Sequence, residues 1–197
     1  DKLFFYFGSD GSADGSNAIL AASGLQNLHF FPFEERRGKP PVINDLAEKA
    51  LESGSRENHV LLLTDANVLL HEDVPYHLVK HFRDETVGAV DAHMRSVGLR
   101  EEGISRSEER YLSGEVLLKH HESLAWGMMM GPFGGCYALR ADLFEPVPPH
   151  SLVDDFWLVF RVLEKGFKAI NDLDAVCYEG ATHRVGDEFK RKKRIAA

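Results

Sequence analysis

Three places in this 197-residue chain set carboxylates just beyond, or just ahead of, apolar runs. In α/β sheets ligands bind at the carboxyl ends of strands, so such places are the first to read for chemistry. Ser9-Asp10-Gly11-Ser12 follows Leu3 to Phe7 and puts a carboxylate and hydroxyls beside a glycine that lets a ligand approach the backbone. Thr64-Asp65-Ala66-Asn67 follows Val60-Leu61-Leu62-Leu63, and residues two apart there can aim Asp65 and Asn67 at one oxygen-seeking cation such as Mg²⁺ or Mn²⁺. Asp154-Asp155 stands before Phe156-Trp157 at a helix start, where backbone donors and the helix dipole favour ionised carboxylates. An ionised carboxylate within hydrogen-bond reach of a hydroxyl is a general base. Taken singly, each of the three is also an ordinary turn or helix cap.

Fixed positive charge sits in two places. Arg36-Arg37-Gly38-Lys39 suits a diphosphate or a solvated basic turn, and Lys190 to Arg194 forms a basic cluster that can face phosphate or anionic lipid or simply end a helix. His77 and His81 share a helix face and His120 neighbours His121, but no Glu or Cys stands at metalloprotease or zinc-finger spacing. Exposed helix histidines are the expectation. The chain has no Gly-x-Ser-x-Gly elbow, Walker loop or dinucleotide fingerprint, which weighs against hydrolase, ATPase and dehydrogenase chemistry.

The elements that must position these residues alternate. Leu3 to Phe7, Val60 to Thr64 and Val87 to Val90 read as buried strands; Asp45 to Leu51 and Val74 to Phe82 repeat apolar residues at helical spacing. Pro40-Pro41 suits a helix start. Arg95 to Arg110 reads as an exposed loop, Glu115 to Trp126 and Phe156 to Leu163 as helices, and Tyr137 to Leu139, Lys168 to Ile170 and Ala175 to Tyr178 as strands. Strands alternating with helices predict an α/β, Rossmann-like architecture with a mainly parallel central sheet flanked by helices. The length suits a single domain over residues 1–197. With 23 Lys+Arg against 31 Asp+Glu the formal charge is −8, a balance without the basic footprint of nucleic-acid binding. Cys136 and Cys177 alone make no disulfide scaffold. Ser123 to Leu139 is uncharged but broken by five glycines and prolines, so no membrane span is expected and the segment itself reads as soluble.

In order along the chain, these pieces resemble the family-2 glycosyltransferases, inverting enzymes with the GT-A nucleotide-diphospho-sugar transferase fold. The resemblance runs through Ser9 to Ser16, Arg37-Gly38-Lys39-Pro40, Thr64 to Asn67, Val87 to Val90, Gly134-Gly135-Cys136-Tyr137, Asp154-Asp155-Phe156 and Glu188 to Ile195, nearly the whole chain. Membrane-linked bacterial polysaccharide synthases are the subgroup it is most similar to. The likeness implies that Asp10 contacts the base or ribose of a nucleotide and that Lys39 lies near the phosphates. It implies that Asp65 and Asn67 hold a divalent metal, Mg²⁺ or Mn²⁺, on the diphosphate of a nucleotide-sugar, expected to be a UDP-sugar. Asp155, with Asp154 beside it, would deprotonate an acceptor hydroxyl, carbohydrate or lipid-linked. Gly134, Gly135 and Cys136 would line the acceptor side, and Arg194 would stabilise the departing diphosphate. The implied activity is hexosyl or N-acetylhexosaminyl transfer in cell-envelope or extracellular polysaccharide synthesis, at the cytoplasmic face of a membrane reached through segments outside this chain.

Departures from the family pattern leave two other readings open. The metal turn ends in neutral Asn67 rather than a second carboxylate, and Arg191 and Ile195 stand where the terminal motif has glutamine and tryptophan. A catalytically weak nucleotide-sugar binding or assembly module, or a nucleotidyltransferase on a similar fold, are the alternatives. The chain opens on what reads as the family's second strand. We therefore expect a fragment, cut before its first strand and again where membrane helices follow, leaving Leu3 to Phe7 and Val60 to Leu63 without a shared neighbour.

Overall fold

The computed structural model describes residues 3–52, 57–97, 105–129, 131–180, 189 and 193; within 105–113 only the backbone is described. The chain divides into two compact units, Asp1–Arg56 with Pro146–Ser151, and Glu57–Glu145 with Leu152–Ala197.

In the first unit β1 (Phe5–Asp10) pairs in parallel with β2 (Leu28–Phe33), Phe5 opposite Leu28 and Asp10 opposite Phe33. The short helix α1 (Ser16–Ala21) connects them, and α2 (Lys39–Glu52) follows. Pro40 and Pro41 fall in the first turn of α2, where their missing N–H groups have no intrahelical partner to lose. Gly8 has no room for a Cβ because Val42, Leu46 and Phe33 close over it, which seats α2 on β1. The stretch 146–151 is held to α2 by Asn44, whose amide donates to the Val147 carbonyl and accepts from its N–H, each at 2.8 Å.

The second unit holds a five-stranded sheet in the order β3 (Val60–Thr64), β6 (Cys136–Arg140), β5 (Val87–Val97), β7 (Lys168–Gly180), β4 (Leu69–Leu70). Its helices are α3 (Val74–Val79, extended by a 3₁₀ turn at Lys80–Arg83), α4 (Ser105–Trp126) and α5 (Asp154–Glu164). The sheet is mixed, not mainly parallel: β5 and β7 run parallel, while β3/β6, β5/β6 and β4/β7 are antiparallel. Apolar runs reveal burial but not direction, and β6 enters between β3 and β5 against both. Among the described residues β1 pairs with β2, and β3 forms an edge of the five-stranded sheet.

Alternation along the strands sorts side chains onto two faces. Val90, Ala92, Cys136, Ala138 and Cys177 join Val74 and Leu78 of α3 in one core cluster. Ala89, Asp91, Tyr137 and Leu139, one position out of phase, are also fully buried and belong to the opposite face. Residues 87–92 are thus buried on both faces, which is why that stretch reads as a continuous run. The stretch expected as a loop from Arg95 is strand to Val97 and helix from Ser105. The two strand runs after Phe167 are one strand, because the bulge at 173–175 interrupts the apolar pattern without ending the ladder: Ala92 faces Asp172 and His93 faces Val176. Among the described residues no helix is long and apolar enough to cross a membrane.

Gly88 lies at a register shift of β5, where an added Cβ would meet Val162, Phe167 and Leu143 together. Gly88→Ala should therefore lower stability by about 1–3 kcal/mol through overpacking, read as a lower urea midpoint at unchanged m-value.

Candidate active site

Asp65, Asp154 and Asp155 of the second unit lie around the glycine loop that precedes β6. Asp65 follows the last residue of β3, and its N–H donates to the Gly135 carbonyl at 3.0 Å, joined at the same oxygen by Thr64 Oγ1 at 3.2 Å. The Val68 N–H returns to the Asp65 carbonyl at 3.1 Å, closing a turn through Ala66 and Asn67. Asp65 is half-buried; Asn67 is exposed, and its Nδ2 donates to Glu179 Oε1 at 3.0 Å.

On the other side of the loop lies the first turn of α5. Gly134 has φ +80°, and a Cβ there would run into the Asp155 carboxylate; Gly131, at φ +75°, would run into the Phe156 ring. Only glycine lets the loop sit against α5 in this way. Asp155 Oδ1 accepts the Phe156 N–H at 2.9 Å, and Asp154 beside it is buried. Both carboxylates lie in the helix's first turn, in the favourable field of its dipole. Cys136 turns the other way: its thiol is buried against Cys177, whose hydrogen bond, together with burial, pushes it far above the usual thiol range. Only the Cys136 backbone belongs to the loop.

Beneath the loop are two residues that sequence reasoning passed over. Tyr137 is fully buried, and its hydroxyl has no hydrogen-bond partner among the described residues. Burial first, then the charges of Asp154, Asp155, Asp65 and Asp91, hold its phenol well above the ordinary range, so four carboxylates act on this one hydroxyl. Asp91 is wholly buried on β5. Its two oxygens share the Phe133 N–H at 3.3 and 3.2 Å, which pins the glycine loop from below. Lys119 Nζ lies 3.7 Å from the centre of the Phe133 ring and 3.4 Å from Glu115 Oε1. Burial pushes the Asp91 carboxyl up to about 7; Lys119 and the Phe133 N–H oppose that, and Asp155 adds to it. The signal was present in the sequence, since Asp91 directly follows Val87-Gly88-Ala89-Val90 as Asp65 follows its own run but one residue sooner.

Asp10 and Lys39 lie in the first unit. Both Asp10 oxygens accept backbone N–H groups, from Arg37 and Gly38, each at 2.8 Å, and so shape the loop that leads to Lys39 at the start of α2. Arg37 stacks on Phe33 at 4.2 Å and pairs with Asp45 at 2.8 Å. Arg194 lies outside the described residues.

A second titratable cluster sits on the α3 side. His77, Asp172 and Asp174 offer ligand atoms within 4.8 Å of one another, a grouping able to hold a metal. The Asp172 carboxylate, however, already takes Lys80 Nζ at 2.8 Å and His81 Nε2 at 2.7 Å. Burial alone would raise its carboxyl, but these hydrogen bonds outweigh burial and hold it below the usual range. An ammonium at that distance occupies the position a dication would need, so the cluster works as an ion-pair network. His77 and His81 are accordingly half-buried and engaged rather than simply exposed, and His120 is half-buried with its ring nitrogen 3.3 Å from the Asn171 carbonyl, while His121 is exposed as expected. A cavity of about 580 Å³ opens beside this cluster, lined by His81, His120, Trp126, Lys168 and Asp172 among others, and includes none of the carboxylates or glycines that the sequence points to for sugar transfer.

The architecture is that of a glycosyltransferase fold. No protein-family model matches the chain and no curated protein matches it. Among solved structures it is similar to a mannosyltransferase from Pyrobaculum calidifontis, determined in complex with GDP-Man and Mn²⁺, with a TM-score of 0.73 and 24% identity over 96% of this chain. The match takes in 51% of that chain, so the present sequence spans about half its length.

Asp91 makes the site's pH dependence testable. Its folded pKa, about 7, lies above the unfolded value, so the neutral form is favoured by folding. Its stabilising contribution is complete below about pH 4 and is lost as pH rises through 7, with a limiting slope of about 1.4 kcal/mol per pH unit. Asp91→Asn, which still accepts from Phe133, should flatten this decline. Urea unfolding of both proteins between pH 5 and 8 measures it, and parallel profiles would count against the assignment.

Proposed function

We propose that the chain is the catalytic part of a glycosyltransferase that moves a sugar from a nucleotide-diphosphate donor to an acceptor hydroxyl in one inverting displacement. The observation that carries this reading is the convergence of Asp65, Asp154 and Asp155 around one glycine loop, in a fold shared with a nucleotide-sugar enzyme.

Asp155 is the general base. It accepts the proton of the acceptor hydroxyl as that oxygen bonds to the anomeric carbon and the bond to the diphosphate oxygen breaks. Gly134 and Gly135 admit the acceptor to the carboxylate because no side chain stands between. Protonation of Asp91 as pH falls below about 7 lessens like-charge repulsion on Asp155, a division of protons of the kind that separates acid and base roles. Asp154 anchors the helix turn. Asp10 and Lys39 serve the nucleotide, and Arg194 the leaving diphosphate.

The donor set at the metal turn is hard and oxygen-based, the Asp65 carboxylate and the Asn67 carboxamide, and fits Mg²⁺ or Mn²⁺. When bound, such an ion neutralises charge on the leaving diphosphate. UDP-sugars are the expected donors, with GDP-mannose the comparison set by the structural relative. A carbohydrate or lipid-linked acceptor, a role in envelope polysaccharide synthesis and attachment at the cytoplasmic membrane face through other segments complete the proposal.

Two substitutions test it. Asp155→Asn should lower transfer roughly 10²–10⁴-fold while nucleoside-diphosphate binding is retained. Asp65→Ala should abolish the part of UDP or GDP binding that EDTA removes, measured by calorimetry. Neutral Asn67 favours one second reading, a binding module: it predicts EDTA-sensitive nucleotide binding with no sugar transfer from any donor when Asp155 is intact.

A further inference from the structure

The metal turn lacks a second carboxylate, yet the fold brings one to it. Leu69 and Leu70 of β4 pair with Tyr178 and Cys177 of β7, so just past this short ladder Asn67 meets Glu179, 112 residues further along the chain. The contact is the 3.0 Å hydrogen bond from Asn67 Nδ2 to Glu179 Oε1. An ionised carboxylate only accepts, so Asn67 must offer Glu179 its NH₂ end, and Oδ1 is turned to the other side. A hydrogen bond from a carboxamide nitrogen to an anion also makes its carbonyl oxygen more basic, as outer partners do for metal ligands generally.

We infer that Glu179 is a positioning residue of the metal site: it orients the Asn67 carboxamide so that Oδ1 stands as a ligand beside Asp65, and it supplies the second negative charge the turn lacks. This rests on the metal role proposed above for Asp65 and Asn67. Asp65, Asn67 and Glu179 then carry together the charge of two carboxylates, with the hydrogen bond dividing the work between one that binds and one that orients.

Mn²⁺ alone is the probe, titrated into the full chain by electron paramagnetic resonance, with broadening of the Asn67 side-chain amide signal followed by NMR. Glu179→Gln should weaken Mn²⁺ binding at least tenfold and shift the broadening of Asn67 to correspondingly higher Mn²⁺. The exchange variant Asn67→Asp with Glu179→Gln keeps one carboxylate and one carboxamide in contact with their places reversed, and should return to within about threefold of the native affinity. Circular dichroism confirms that each variant is folded. Native affinity in Glu179→Gln, with binding still abolished by Asp65→Ala, overturns the inference while leaving the metal role standing. Mn²⁺ binding that Asp65→Ala leaves unchanged overturns both.

Discussion

Burial of a carboxylate in the middle of the sheet is the constraint on which the second unit depends. Asp91 is inaccessible to water, on a strand covered on both faces, and such a group must be neutral or well partnered. Its partners come from different directions: the Phe133 N–H from the glycine loop, the Lys119 charge from α4, and Asn171 of β7, whose amide also reaches the Asp91 and Ala92 carbonyls at 3.4 and 3.3 Å. Meeting the requirement of one side chain thus aligns a loop, a helix and a strand. The loop so held carries the glycines against which Asp155 rests, so the geometry of the proposed base follows from the solvation of a residue that need not touch substrate.

Charge is arranged differently on the two faces. On the α5 side, carboxylates gather around Tyr137; burial and then their charges raise the Tyr137 phenol, and burial raises the Asp91 carboxyl. On the α3 side, Asp172 gathers Lys80 and His81 and is stabilised as an anion.

Much of the architecture was legible wherever burial imprints a period on the sequence. Val60 to Thr64 is β3 residue for residue, and the α5 pattern from Phe156 to Leu163 lies within the helix. The stretch Leu28–Phe33 was not read as a strand because Pro32 interrupts it; β2 pairs on one side only, and an edge strand tolerates the missing donor. The tiny β4 and six-residue α1 are too short to carry a period. Strand direction is not legible in the sequence because alternation of strands and helices implies parallel crossovers only when each helix returns the chain to the same end of the sheet, and β6 enters from the opposite end.

By itself the sequence determined the chemistry available: Asp10, Asp65 and Asp154-Asp155, a basic loop before Lys39, glycines at 134 and 135, and the order in which they occur. Residue type and local spacing are properties of the chain before it folds. Tertiary structure alone decided which of these groups meet. It brought Glu179 to Asn67 across 112 residues, set Asp155 against Gly134, raised Asp91 by burying it, and sent the Cys136 thiol into the core. Each of those outcomes depends on register and desolvation, which arise only when strands pair and a face closes.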